Sequence, residues 1–194
     1  MTFLQWSFIG QCSSIDLSIV QGCGIGPTLY LVMKSDLCTI SELNDIFKYA
    51  DDTTLLVPEH TDVDLNSELN HIKQWAATNG LILNSNKTKE VVFRQPRVSC
   101  FHLPAAIDDI EQVDCCKLLG VMVQNNCKMD SHVQYILSQC AQRIYLLKSL
   151  QRQGMPRNLL AVVTYSIVIS RVLYALSAWG GFLLVELINK INRF

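Results

Sequence analysis

The chain has 194 residues, 49% hydrophobic and 17% charged. It is long enough to bury one good core with an appended lobe, and too apolar to be a disordered segment. The formal charge of -1 hides an asymmetry, because residues 1–116 hold 7 Lys and Arg against 15 Asp and Glu, whereas residues 117–194 hold 9 against 2.

An acidic half followed by a basic half suggests a metal-binding part and a phosphate-facing part, although chance segregation of solvated charges gives the same count. The start, Met1-Thr2-Phe3-Leu4-Gln5-Trp6, lacks the charged lead and long apolar stretch of a secretory signal. Eight cysteines are present and none forms a C-x-x-C pair, so reduced, mostly buried thiols of an intracellular protein are expected, in nucleus or cytoplasm. The spacing of Cys115, Cys116, Cys127 and His132 fits no zinc module.

In chain order, Phe3, Trp6, Phe8 and Ile9 precede an alternation of Ile15, Leu17 and Ile19 with Asp16 and Ser18, which predicts a hairpin ending near residue 20. Gln21-Gly22-Cys23-Gly24-Ile25-Gly26-Pro27 then holds three glycines in five residues, followed by a proline suited to a first helical turn. Leu29, Met33 and Leu37 predict a helix over 27–38. Such a loop can present amides to a phosphate or serve as a plain strand-to-helix connection.

The stretch Ile46-Phe47-Lys48-Tyr49-Ala50-Asp51-Asp52-Thr53-Thr54-Leu55-Leu56-Val57 reads as strand, tight turn on the aspartates, strand, stopped by Pro58. Two adjacent carboxylates repel, and a bound divalent cation removes the conflict. Hard oxygen donors suit Mg²⁺, which takes one or two carboxylates plus substrate phosphates. Taken alone, Asp-Asp is also a common solvated turn.

Thr61 with Asp64 resembles a capping box for a helix ending at Asn79-Gly80, with Leu65, Leu69, Ile72 and Trp75 or Ala76 as its apolar stripe. In Leu81–Phe93, apolar strands flank a polar turn carrying Lys87, with Lys89 nearby. Residues 94–114 read as short strands and loops. Lys117-Leu118-Leu119-Gly120-Val121 reads as a strand turn, and a core hairpin with a Gly bulge explains it equally well. A helix follows over 131–150, striped by Val133, Ile136, Leu137, Cys140, Ile144 and Leu147, with Arg143, Lys148 and Arg152 off the stripe. It breaks at Gln153-Gly154-Met155-Pro156, and a second starts near Arg157. The apolar stretch 159–188 is interrupted by Arg171 and by Gly180-Gly181, so a buried helix is expected there in preference to a membrane span.

Four segments, Gln21–Pro27, Tyr49–Asp52, Leu81–Thr88 and Leu119–Val121, resemble in order the motifs of reverse transcriptases, especially those of LINE-type (non-LTR) retrotransposons. The resemblance implies an α+β fold: a polymerase palm-type antiparallel sheet with packed helices over 1–127, then an α-helical thumb over 128–194, with the fingers missing. It implies RNA-templated DNA synthesis from dNTPs onto a primer 3′-hydroxyl with two Mg²⁺ ions. Asp51 and Asp52 would be the metal ligands and Lys87 a cation near the triphosphate. Gln21, Gly22, Tyr49, Ala50, Lys117 and Gly120 would line the nucleotide and primer site.

There are departures. Val20, Cys23 and Leu118 stand where the family usually carries Pro, Ser and Tyr. The family also needs an upstream aspartate, and the only acid before Gln21 is Asp16. The chain is therefore expected not to polymerise alone. Two other classes compete: a non-catalytic nucleic-acid-binding remnant, and a small membrane protein anchored by 159–188.

Overall fold

The computed structural model describes residues 1–10, 24–94, 104–107 and 110–193. The expected strand alternation at 15–20, Asp16, Gln21 and Gly22 lie outside these. Two compact units are present, Met1–Cys116 and Lys117–Phe194. The boundary expected at 127 falls inside the second unit, in the turn before its long helix.

The first unit is built on β1 (Thr2–Gly10), whose aromatic and aliphatic residues bury both faces. On one edge it pairs antiparallel with β3 (Asp52–Val57), in register Leu4↔Leu55, Trp6↔Thr53 and Ser7↔Asp52. β3 in turn pairs antiparallel with β2 (Asp45–Tyr49). β4 (Leu81–Leu83) and β5 (Lys89–Val92) also pair antiparallel with β1, and together read as one strand interrupted at 84–88. A short β6 (Glu111–Gln112) adds parallel to β5. The result is a mixed helix-and-sheet α+β unit with a mostly antiparallel sheet.

Period-two alternation sorts the side chains. Leu4, Trp6, Leu55 and Val57 share the core face, joined by Leu37 and by Leu69 and Ile72 of α2 (Leu65–Thr78). Phe47 and Tyr49 belong to the opposite face and are exposed. The expected stripe on α2 is observed, with Leu69, Ile72 and Ala76 buried and Leu65 and Trp75 packed beside them. Its cap differs from the expected box. Asp64 itself is the N-cap, accepting from the Ser67 N–H at 3.2 Å, while the Thr61 hydroxyl bonds Asn44 Oδ1 at 2.8 Å. Gly80 leaves the helix at φ 65°, as Asn79-Gly80 predicts.

α1 (Gly26–Met33) is shorter than expected and presents a different face. Leu29 is exposed, whereas Lys34 and Leu37 just beyond the helix are buried. Glu68, on the first turn of α2, is fully buried and fixes the loop between α1 and β2. Its carboxylate accepts from the N–H groups of Ile40 and Ser41 at 3.0 Å and from Asn44 Nδ2 at 2.8 Å.

The second unit is helical beyond a hairpin of β7 (Cys115–Leu118) and β8 (Val121–Gln124), whose first strand begins with the last two residues of the first unit. α3 (Asp130–Arg152) buries Val133, Ile136, Leu137, Cys140 and Leu147 as its stripe predicts, and also His132. Gly154 at φ 84° ends it, and Pro156 is the N-cap of α4 (Arg157–Thr164). A π-helical turn, Tyr165–Ile169, leads into α5 (Ser170–Leu173); Ala175 then takes φ 51° before α6 (Leu176–Trp179), and α7 (Val185–Asn192) closes the unit.

The expectation of a buried helix over 159–188 is corrected. Val168, Trp179 and Leu187 are buried, but Leu159, Val162, Tyr165, Ile169 and Leu173 are exposed. By length and composition Arg157–Phe182 is apolar enough to cross a membrane, yet the backbone breaks at Tyr174–Ala175 and Arg171 lies in its middle. The thiols are also less hidden than expected: Cys116 and Cys140 are buried, whereas Cys38 and Cys127 are exposed.

Two outcomes test this packing. Glu68→Ala strands two buried donors, on Ser41 and Asn44, and the partly buried Ile40 N–H, and is expected to cost about 3 kcal/mol in urea unfolding. His132 Nδ1 accepts from the Met122 N–H at 3.2 Å, so the buried ring must be neutral, and burial lowers its pKa from 6.5. A depressed folded-state pKa keeps its stability above 6.5 and loses it as pH falls through the folded value. The stability difference between wild type and His132→Leu, measured by urea titration, is therefore expected to shrink as pH drops below 6.5.

Candidate active site

The aspartate hairpin forms where the sequence places it, with its turn displaced by one residue. Tyr49 pairs with Asp52, so the two-residue loop is Ala50-Asp51. Ala50 has φ 49°, the only positive φ in that loop. This suits a type II′ turn, whose first central position favours Gly, and an Ala there costs roughly 1 kcal/mol. Asp51 is thus exposed at the tip, while Asp52 opens β3 and is half-buried.

The two carboxylates are therefore not equivalent. Burial, then the charge of Asp51, pushes the Asp52 carboxyl above its ordinary range, and the ammoniums of Lys34 and Lys87 pull it back. A pair under net repulsion gains from a cation. Asp51 and Asp52 suit Mg²⁺, which needs one or two carboxylates and completes its shell with water or phosphate. They do not make a full protein cage. Ser7 stands opposite Asp52 on β1, β1 carries no acid, and no cluster of three or more His, Cys, Asp or Glu occurs among the described residues.

Lys87 reaches this neighbourhood through β1. The Asn84 N–H donates to the Ser7 carbonyl at 3.0 Å and starts the 3₁₀ turn Ser85–Lys87. One residue of β1 thus faces Asp52 in the register and anchors the Lys87 turn. Lys89, the other lysine of the motif, is ion-paired with Glu111.

Two residues that sequence reading did not single out also meet the tip. Lys34 Nζ donates to the Ala50 carbonyl and to Thr53 Oγ1, both at 2.8 Å. Its ammonium lies over the rings of Phe8 and Tyr30, 4.9 and 5.0 Å from their centroids. Burial lowers its pKa to about 8, against the opposing pull of Asp51 and Asp52. Tyr30 is half-buried, and its pKa is raised by that burial and then by the two aspartates. The i, i+4 spacing of Tyr30 and Lys34 was the available signal, but a lysine interrupts the apolar stripe that sequence reading follows.

In the second unit, Gly120 sits in a two-residue turn with Leu119, at φ 90° and 44°. Both central residues being left-handed makes this a type I′ hairpin in place of a bulge. The Tyr174 hydroxyl donates to the Leu119 carbonyl at 2.8 Å, and a Cβ on Gly120 would lie 3.0 Å from Tyr174 Cε1. Lys117 Nζ bonds Tyr135 Oη at 3.1 Å and lies 4.8 Å from its ring centroid. That hydrogen bond, then the lysine's charge, lowers the Tyr135 pKa. Arg143, expected off the packing stripe, is anchored by a hydrogen bond to the Ile167 carbonyl.

These motifs lie within a region of known relationship. Residues 6–123 match the model of the reverse transcriptase (RNA-dependent DNA polymerase) family, and the chain belongs to that family. It is 26% identical over 182 residues to the RNA-directed DNA polymerase from mobile element jockey of Drosophila melanogaster, covering 86% of this chain and 20% of that protein. The chain thus spans about a fifth of that relative's length. No solved structure matches it.

Gly120→Ala adds both a strained φ and a clash with Tyr174, and is expected to destabilise the second unit by about 1–3 kcal/mol. Tyr174→Phe removes only the hydroxyl and is expected to cost about 1 kcal/mol. Urea unfolding followed by Trp179 fluorescence reads both.

Proposed function

We propose that this chain carries part of the catalytic centre of an RNA-directed DNA polymerase of mobile-element origin, working inside the cell. The carrying observation is the convergence of Asp51, Asp52 and the Lys87 turn on the two sides of Ser7, in a chain of the reverse transcriptase family. The sheet of the first unit acts as a palm and the helical unit as a thumb.

In this reading the primer 3′-oxygen attacks the α-phosphorus of a dNTP, the bond to pyrophosphate breaks, and the hydroxyl proton leaves to solvent. Asp51 and Asp52 hold divalent metal, which supplies activation of the 3′-oxygen and charge neutralisation on the triphosphate; two ions complete the family's site. Lys87 places a cation where pyrophosphate charge develops. Tyr49 and Ala50 border the nucleotide and primer, and the family resemblance gives the same role to Gln21 and Gly22, which lie outside the described residues. The Lys117–Gly120 hairpin meets the primer strand, and basic residues of the second unit meet phosphates of template and primer.

The chain does not polymerise by itself on this reading, because β1 offers Ser7, not an acid, beside Asp52. Primer extension on an RNA template with Mg²⁺ tests it. The expected result is no product from this chain alone. Product is expected from a chimera in which residues 24–194 replace the matching segment of the jockey polymerase, so that a strand with the family's aspartate takes the place of β1, and it is expected to fall to background with Asp51→Asn. Asp51-dependent product from the chain alone sinks the inactivity claim. A dead chimera, with salt-steep duplex binding indifferent to Asp51→Asn, supports the non-catalytic remnant instead.

A further inference from the structure

Lys34 is the one lysine of the first unit that is almost wholly buried, at 1% exposure. Its ammonium lies over the Phe8 ring of β1 and reaches the aspartate hairpin. There it bonds the carbonyl of Ala50 and the hydroxyl of Thr53 at 2.8 Å, with a longer approach of 3.4 Å to the Asp51 carbonyl. These acceptors run from the left-handed Ala50 itself to the start of β3.

The return contact comes from β2. Lys48 Nζ donates to the carbonyls of Lys34 at 2.7 Å and Leu37 at 2.9 Å, with Ser35 at 3.4 Å. These carbonyls lie at the end of α1, where a helix leaves acceptors unpaired and its dipole favours a cation. A lysine from just past α1 therefore holds the hairpin tip, and a lysine from the hairpin holds the end of α1.

Energetics favour a geometric role for this pair. A buried ammonium is expensive and persists only where its hydrogen bonds are met. Ala in a left-handed turn is also unfavourable and persists only where its surroundings over-determine it. The donated bond to the Ala50 carbonyl fixes the orientation of the Ala50–Asp51 peptide, and hence the direction in which the tip presents Asp51.

We infer that Lys34 is a positioning residue for the metal-binding hairpin, locking the Ala50-Asp51 turn in its left-handed form through a reciprocal clamp with Lys48. The metal-binding part of this inference rests on the polymerase reading above; the backbone part does not. The alternative is that the ammonium serves only as a counter-charge to Asp51 and Asp52. The two roles predict opposite signs. Removing a counter-charge tightens a divalent cation, whereas removing a positioning contact loosens it.

The test uses the full 194-residue chain with Lys34→Met. The ¹³Cα and ¹³Cβ shifts of Ala50 report the sign of its φ without any metal. The expected result is left-handed shifts in wild type that are lost in Lys34→Met; shifts unchanged by the substitution overturn the clamp. Mn²⁺ binding, followed by electron paramagnetic resonance of the free ion, is then compared among wild type, Asp51→Asn and Lys34→Met. Affinity is expected to fall about 10-fold or more in Lys34→Met; equal or tighter binding assigns the counter-charge role and overturns positioning. If Asp51→Asn binds Mn²⁺ as wild type does, the metal reading fails, and the Ala50 shifts still decide the clamp. Should Lys34→Met not fold, the wild-type ammonium is observed directly by ¹⁵N spectroscopy of lysine side chains, well below the pKa of about 8. A protected signal with contacts to Ala50 and Thr53 upholds the inference, and its absence overturns it.

Discussion

The pairing of β1 on both edges is the constraint on which the first unit depends. A strand bonded on one edge leaves its neighbours free to slip; a strand bonded on both fixes two registers at once. Here one register sets Ser7 opposite Asp52 and the other leads Asn84 to the Ser7 carbonyl. The spacing between Asp52 and the Lys87 turn is therefore a property of the sheet, roughly two strand steps of about 4.8 Å. Moving either register by one residue would turn the site residues to the other face. The apolar residues on both faces of β1, Phe3 as well as Leu4 and Trp6, oppose such a slip because each is buried.

Charge balance at the hairpin tip follows from the same framework. Asp51 is exposed and Asp52 is half-buried, so their repulsion is only partly screened. Lys34 approaches from the core face and Lys87 from the Asn84–Thr88 excursion, and both favour the ionised form of Asp52. Neither closes a salt bridge on it: Lys34 spends its hydrogen bonds on Ala50 and Thr53. The tip thus keeps carboxylate oxygens available while the surrounding cations limit the cost of leaving them charged. An arrangement with a direct Lys–Asp pair would be more comfortable electrostatically and less able to accept a metal.

Much of this was legible in the sequence, and the misses have identifiable causes. The β-branched and aromatic runs around Tyr49–Asp52 marked the hairpin, and the stripes of α2 and α3 marked their buried faces. The turn was misplaced by one residue because Asp propensity pointed to Asp51-Asp52, whereas strand pairing places the bend at Ala50-Asp51. Propensity is a local prior that register overrides. The face of α1 was misread for a related reason. Leu29 and Met33 fit a helical stripe, but the ammonium of Lys34 finds acceptors at the hairpin and lies over the rings of Phe8 and Tyr30, which draws that side chain inward. Glu68 escaped notice because no pattern in the sequence announces that a helix-surface glutamate will be fully enclosed by three donors.

The helical unit shows how a region of high hydrophobicity can still expose much of it. Its sequence invites a deeply packed helix, yet Leu159, Val162, Tyr165 and Leu173 remain exposed. What organises the segment after α5 is a chain of polar and aromatic contacts. The Tyr174 hydroxyl holds the Leu119 carbonyl, Trp179 Nε1 donates to the Tyr174 carbonyl at 2.9 Å, and the Trp179 ring meets His132 edge-on at 4.8 Å. This series needs the chain to reverse between Tyr174 and Trp179, which the left-handed Ala175 permits. A straight helix through the same residues would carry Trp179 on along the axis, away from His132. The break that shortens the apolar helix therefore adds a link between the β7–β8 turn and α3, beside the direct Met122–His132 and Lys117–Tyr135 contacts. Hydropathy counts the apolar residues of this stretch and does not register that Tyr174 and Trp179 use their polar atoms on backbone carbonyls at the break.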